Sequence, residues 1–278
     1  MISDFLNYTG RDALIAQAIE SHGDWNDIYR NLRDRRAIPA EKATKLLSNM
    51  RCKAVTILDK EYPPILRKDC PNPPFVLFYY GDLRLAYDYT QVLTVVGSRE
   101  PTAYARGLVQ NLCAQIADKG YIIASGLARG IDTVAAEATA KLNGKAIAVL
   151  GCGIERAYPL ENKSLRDLIA HNGLLLSEYP GNETPLPRHF PFRNRLLASL
   201  GYGTFVGEAH NPSGTMITVA YAAAMNRDIC ALPFLAGEEV ANNRLIKTGA
   251  AMIETAEDLE LFLNTAAAKE QEIFSEIL

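Results

Sequence analysis

The sequence is poor in the groups on which most enzyme chemistry draws. Its four histidines (His22, His171, His189, His210) form no HxxxH or HxH pair that presents two imidazoles to one metal. Its five cysteines (Cys52, Cys70, Cys113, Cys152, Cys230) are scattered, odd in number and never in CxxC spacing. That excludes a disulfide scaffold or zinc ribbon and suits reduced thiols in a cytoplasmic chain. No apolar run approaches the ~18 residues of a transmembrane helix. The start, MISDFLNYTGRDALIAQ, carries an early Asp and lacks the basic head and apolar core of a secretory signal. Gly151-Cys152-Gly153 begins a dinucleotide fingerprint, but Arg156 stands where GxGxxG needs its last glycine. GxxxxGK[ST] and GxSxG do not occur, so neither a P-loop nor a hydrolase nucleophile elbow is expected. The expectation is a chain with no metal, no cofactor and no catalytic centre. A net charge of -3 also removes any general attraction to polyanions.

What is present describes a globular protein. The chain has 278 residues, 48% hydrophobic and 22% charged, enough for one large domain and one small one. Charge is uneven. Residues 30–53 hold eight basic side chains against Asp34 and Glu41, and residues 254–276 hold seven acids against Lys269. These are two solvated helical faces of opposite sign, or a secondary nucleic-acid contact and a partner-binding tail.

Residues 1–52 read as a small all-helical domain, with helical spacing in RDALIAQAIESH and AEKATKLLSNM and a helix start at Pro39. Five prolines between Val55 and Asp82 forbid long helices there, and FVLFYYGD reads as a buried strand ending in a turn. From Gln91 strand and helix alternate. VLTVVGS, YIIASG, KAIAVLGCG, LLLSEYP, YGTFVGEA and DICALP are apolar strand runs separated by helical stretches. This rhythm predicts an α/β fold over residues 53–264: an extended Rossmann-like, doubly wound, mainly parallel sheet covered on both faces. Residues 265–278 complete the division as an acidic C-terminal tail.

Ligands of such sheets bind beyond the carboxyl ends of the strands. Gly97-Ser98-Arg99 and Ser125-Gly126, with Arg129 and Asp132, fall at such ends, each before a helix. Glycine lets backbone approach a ligand, and helix N-termini favour anions. Ser213-Gly214 opens another helix and is either an anion nest or a serine N-cap. Each of these turns also reads as ordinary capped structure. Glu178 and Glu208 reach the same rim and are read as orienting arginines rather than as a catalytic pair.

The most unusual segment is Pro187 to Arg195, PRHFPFRNR. Arg188, Arg193 and Arg195 offer phosphate donors, Phe190 and Phe192 offer flat faces to a base, and His189 and Asn194 offer hydrogen bonds. On an ideal strand the two phenylalanines would share a side, but Pro191 is expected to break that regularity. One Phe is expected in the core and one on a base. Lys163 is a weaker phosphate candidate.

VVGSR (95–99), SGLARGID (125–132), GCGIERAYPLEN (151–162), SEYPGNETP (177–185), HFPFRNRLLASL (189–200) and VGEAHNPSGTMIT (206–218) occur in this order. Jointly they resemble the DNA-processing protein A (DprA/Smf) family. The resemblance implies a dimeric, non-enzymatic protein that binds single-stranded DNA. It further implies a mediator that loads RecA on incoming strands during natural transformation and relieves the block from single-strand-binding protein. The helical module is similar to the sterile-alpha-motif-like or helix-hairpin-helix-like module of some members. The usual PG and SxGxN segments are replaced by Leu232-Pro233-Phe234 and by a stretch keeping only Asn243. The rival reading is a nucleotide-processing enzyme of the lysine-decarboxylase-like phosphoribohydrolase type. That type needs PGGxGTxxE, and here Pro212-Ser213-Gly214-Thr215 lacks the glycine pair and the following glutamate.

Overall fold

The computed structural model describes residues 9–140 and 145–265. The acidic tail therefore lies, but for residue 265, outside the described residues. Three helices come first: α1 (Arg11–Glu20), α2 (Trp25–Arg33) and α3 (Ala40–Ser48). Asp24 caps α2, its carboxylate accepting from the amides of Asn26 and Asp27 at 3.0 and 3.1 Å, which satisfies two of the orphan donors of the first turn. Leu14, Ile15, Ala18, Ile28 and Leu32 do not close a core of their own. They join Phe75, Val76, Phe78 and Leu175 in one continuous cluster. Trp25 fastens the junction, stacking on Phe75 at 5.2 Å and donating to the Pro73 carbonyl at 3.0 Å. Several charges of the basic block are paired, Arg30 with Asp27 and Lys42 with Glu20 among them.

The strands are β1 (Lys53–Thr56), β2 (Val76–Gly81), β3 (Val92–Val96), β4 (Ile122–Ser125), β5 (Ala146–Leu150), β6 (Leu174–Ser177), β7 (Gly203–Val206), β8 (Asp228–Ala231) and β9 (Ala251–Met252). They form a single sheet in the order β1-β2-β6-β5-β4-β3-β7-β8-β9. The β1–β2 and β2–β6 pairs are antiparallel, and every pair from β6 to β9 is parallel. The fold is thus an extended Rossmann-like, doubly wound sheet preceded by helices. All six alternating runs from Gln91 onward are strands of it. The proline-rich segment adds the antiparallel extension, with only α4 (Pro64–Asp69) between its strands.

One face of the sheet carries α5 (Ala103–Asp118), α6 (Ile131–Ala140) and a helix over residues 256–265. The other carries α4, α8 (His189–Leu200), α9 (Gly214–Ala224) and α10 (Asn242–Lys247), while α7 (Lys163–Asn172) packs with the N-terminal helices. The chain winds outward from β3 through β4, β5 and β6. It then returns to the other side of β3 with β7, where Val96 pairs Val206. The β3/β7 boundary is therefore the topological switch point, and the turns beyond both strands diverge to open a crevice.

One expectation is corrected. Strand spacing broken by Pro191 does not govern the two phenylalanines: from His189 the segment PRHFPFRNR is the start of α8. Pro191 falls in the first turn, where its missing N–H leaves no intrahelical bond unmade and its fixed φ suits the helix. Helical spacing, not strand spacing, decides which way each side chain of the motif points.

Candidate nucleic-acid interface

The crevice at the switch point is a cleft of about 560 Å³. Its walls come from the turn after β3 (Gly97, Ser98, Arg99), the turn before α9 (His210, Ser213, Gly214, Thr215) and one face of α8 (Phe190, Pro191, Arg193, Asn194, Leu197), with Tyr158 at the side. Phe190, Arg193, Asn194 and Leu197 follow i, i+3, i+4, i+7, a single helical face, with Pro191 beside it in the first turn. Phe192 and Arg195 lie on the other face, outside the lining.

The β3 turn is held from several sides. The Ser98 amide donates to the Glu208 carbonyl at 2.7 Å, and the Ile131 amide donates to the Ser98 carbonyl at 3.0 Å. Gly130, at φ +76°, lies flush against that turn, and a β-carbon there would overlap Ser98 O. SGLARG thus carries its last glycine so that two turns can touch. Glu208, almost fully buried, accepts from the Thr102 amide at 2.8 Å and hydroxyl at 2.7 Å, and meets His210 at 3.2 Å. Among the described residues it pairs with Thr102 and His210 rather than with an arginine, contrary to expectation; it fixes the entry to α5 and one wall of the cleft.

Arg193 lies at the floor. Its guanidinium donates to the Gly126 carbonyl at 2.9 Å and to the Val149 carbonyl, and it rests so closely on Gly126 that a β-carbon there would displace it. Asp132 accepts from the Gly126 amide at 3.0 Å. Burial pushes its carboxyl up to about 6, opposed by the charge of Arg193 and by bonds from backbone amides. Buried carboxylate and guanidinium together set the field under the cleft.

Ser213 occupies the N-cap position of α9 with extended backbone, yet its side chain makes no capping bond. Its hydroxyl oxygen is buried and unpartnered. An orphaned hydroxyl beside the first amides of an 11-residue helix offers donors to an anion. Arg99, exposed, adds positive charge to the same cleft.

The remaining sequence candidates lie elsewhere. Ser125 and Gly126 are buried beneath the lining. Arg129 and Lys163 are exposed and face Glu161 and Asp167, the latter at 2.6 Å. Arg188 is exposed just before α8. His189 is buried and stacked on Tyr179 at 3.9 Å; burial, then Arg188, pushes its pKa below the usual histidine value. Arg195 is fully buried. It donates to both oxygens of Glu178 at 2.7 and 2.6 Å and lies over the Phe192 ring at 3.7 Å. The reading of Arg195 as a phosphate contact is therefore corrected, because its charge and donors are used inside the protein. Glu178 orients an arginine as expected. The expected core phenylalanine is not found: Phe190 and Phe192 are both half-buried, Phe190 at the cleft and Phe192 against the Arg195 guanidinium. Sequence reading missed Tyr158 and His210 as lining residues; YP after a glycine turn carries no motif signal by itself.

Fold and site together define a Rossmann-like protein with an arginine- and aromatic-lined cleft at its switch point. The chain belongs to the DNA recombination-mediator protein A family, whose model matches residues 53–264. It is 38% identical over 207 residues to the DNA processing protein DprA of Bacillus subtilis, covering 74% of this chain and 69% of that one. With protein Smf of Synechocystis it shares 39% over 199 residues, 70% of this chain but only 50% of the relative. Among solved structures, DprA of Streptococcus pneumoniae superposes with a TM-score of 0.75 at 31% identity, covering 93% of this chain and 96% of that one. The Helicobacter pylori DNA processing protein A, whose structure concerns a single-stranded DNA binding mode, superposes at 0.68 with 29% identity, covering 80% and 98%.

Proposed function

We propose that the chain is a single-stranded-DNA-binding recombination mediator that loads RecA on incoming strands during natural transformation. It acts as a cytoplasmic homodimer without a catalytic step, in exchange with single-strand-binding protein. The observation that carries DNA binding is the buried, unpartnered Ser213 hydroxyl at the open N-terminus of α9, in the same cleft as Arg99 and Phe190. A phosphate at the α9 amides satisfies the hydroxyl and meets Arg99. Phe190 then offers its face to a base, worth roughly 1–3 kcal/mol. Arg193 supplies charge from the floor, with Arg129, Arg188 and Lys163 flanking. The membership in a recombination-mediator family and the Helicobacter pylori relative support the same reading.

The test is a titration of fluorescent oligothymidine and its duplex at two salt concentrations. The single strand should bind more tightly, with affinity falling as salt rises. Arg99→Ala should weaken binding on all sequences alike and reduce the salt slope by about 0.7. Equal affinity for duplex, or an unaltered Arg99→Ala protein, refutes the assignment. RecA loading is read separately, as filament growth on strands coated with single-strand-binding protein. Release of base from nucleoside monophosphates would favour the phosphoribohydrolase instead.

A further inference from the structure

Tyr158 is 46% exposed and Leu160 73% exposed, two large apolar side chains within a three-residue stretch. Tyr158 lines the cleft, with its ring 5.5 Å from that of Phe190 and tilted 41° to it. The same turn ends in Glu161, which pairs with Arg129. Both sit at the surface, their side chains 50% and 67% exposed. The turn is fixed from below. Asn162 donates to the Leu127 carbonyl at 3.0 Å and to Thr133 Oγ1 at 2.8 Å, and Arg156 donates to the Asn182 carbonyl at 3.0 and 2.9 Å.

We infer that residues 157–161 form a second nucleotide subsite at the cleft mouth. Tyr158 receives an unpaired base on its outer face, and Arg129 receives the adjacent phosphate in exchange for Glu161. Such a subsite rests on the single-strand reading of the cleft and extends it to an aromatic residue that the sequence reading left without a role. A base cannot enter between the two rings, because a sandwich needs about 7 Å, twice a van der Waals contact of ~3.5 Å. Bases must therefore lie on the outer faces, and the 41° tilt holds them out of parallel. A duplex keeps neighbouring bases parallel, so the pair of rings selects an unstacked single strand. The exposed Arg129–Glu161 pair is weakly held, and phosphate is the stronger acceptor for the freed guanidinium. Because the turn is already anchored, little ordering is needed on binding.

The experiment compares oligothymidine with a fully abasic deoxyribose-phosphate oligomer of equal length, by anisotropy, on the full chain. Tyr158→Ala should weaken oligothymidine about fivefold or more and leave the abasic oligomer unchanged. Tyr158→Phe should bind oligothymidine as the parent does, since it keeps the ring. Glu161→Gln should tighten both probes, and the added Arg129→Gln should remove that gain. Equal losses on both probes in Tyr158→Ala, or a Tyr158→Phe protein as weak as Tyr158→Ala, overturns the base contact. Glu161→Gln without effect overturns the phosphate exchange. Thermal melts of each variant identify loss of fold. If the parent does not bind oligothymidine, the single-strand reading itself falls. If the parent binds, Arg99→Ala weakens it and Tyr158→Ala does not, only the subsite falls.

Discussion

Glu178→Gln separates the arginine that builds the protein from those offered to a ligand. Arg195 directs Nε to the carbonyls of Pro71 and Asn72, each at 3.1 Å. Nη1 reaches Glu178 at 2.7 Å and the Phe192 carbonyl at 2.9 Å, and Nη2 reaches Glu178 at 2.6 Å and the Asn72 carbonyl at 3.0 Å. The two side chains are 1% and 4% exposed, so solvent screens neither. Glutamine keeps the shape but removes the countercharge, leaving a buried guanidinium on carbonyls alone. Loss of one partner of such a pair costs about 3–5 kcal/mol. For a chain of this size each kcal/mol moves the midpoint roughly 2–4 °C, so the melt should fall by roughly 6–20 °C. Oligothymidine affinity, measured well below the new midpoint, should stay within about twofold of the parent. The double substitution Glu178→Met with Arg195→Met should cost less than either single, since no lone charge remains. Calorimetry and anisotropy decide it. A midpoint within a degree of the parent, or a folded Glu178→Gln protein as weak on DNA as Arg99→Ala, refutes the scaffold role.

Asp132, raised by burial to about 6, holds its proton more tightly folded than unfolded, where carboxyls titrate near ~4. Its contribution to stability is fully present below about pH 4 and is lost as pH rises through 6. Asp132→Asn should flatten the melting temperature across that window, and an unaltered pH profile speaks against the assignment. Gly130→Ala forces a positive φ on an L-residue and drives a β-carbon into Ser98 O. It should lower stability by about 1–3 kcal/mol and weaken oligothymidine binding through the Arg99 turn. Gly107→Ala, in α5 with nothing within 4 Å of its β-carbon, should instead be neutral or gain up to about 1 kcal/mol in urea titrations.

The parallel sheet was legible because apolar runs bounded by glycine recur from Gln91 with helices between them, and that periodicity reflects burial on both faces. The antiparallel extension was half legible: FVLFYYGD reads as a strand, whereas Lys53–Thr56 is too short to stand out. At the opposite, parallel edge Ala251–Met252 is shorter still. In the site, the turns after β3 and before α9 were readable from glycine and serine placement. The error lay in Pro191. Treated as a breaker, it hid the helix; treated as a first-turn residue, it puts Phe192 and Arg195 together at i, i+3 and Phe190, Arg193 and Asn194 on the opposite face. No local pattern shows that Glu178 neutralises Arg195, because that pairing depends on how β6 and α8 meet. Tyr158 escaped for the same reason: a cleft wall is a property of packing between distant segments.

The switch point also imposes a schedule on the protein's manufacture. The strands that open the cleft, β3 and β7, are neighbours in the sheet, yet three strands (β4, β5, β6) and the helices α5 to α8 are made between them. The α9 end that completes the cleft is made later still, and Arg195 must reach back to Pro71 and Asn72. A nascent chain emerging N-terminus first can therefore complete the N-terminal helices and much of one arm of the sheet while having no cleft at all. The cleft itself is closed only when the start of α9 has joined the turn after β3 and the face of α8.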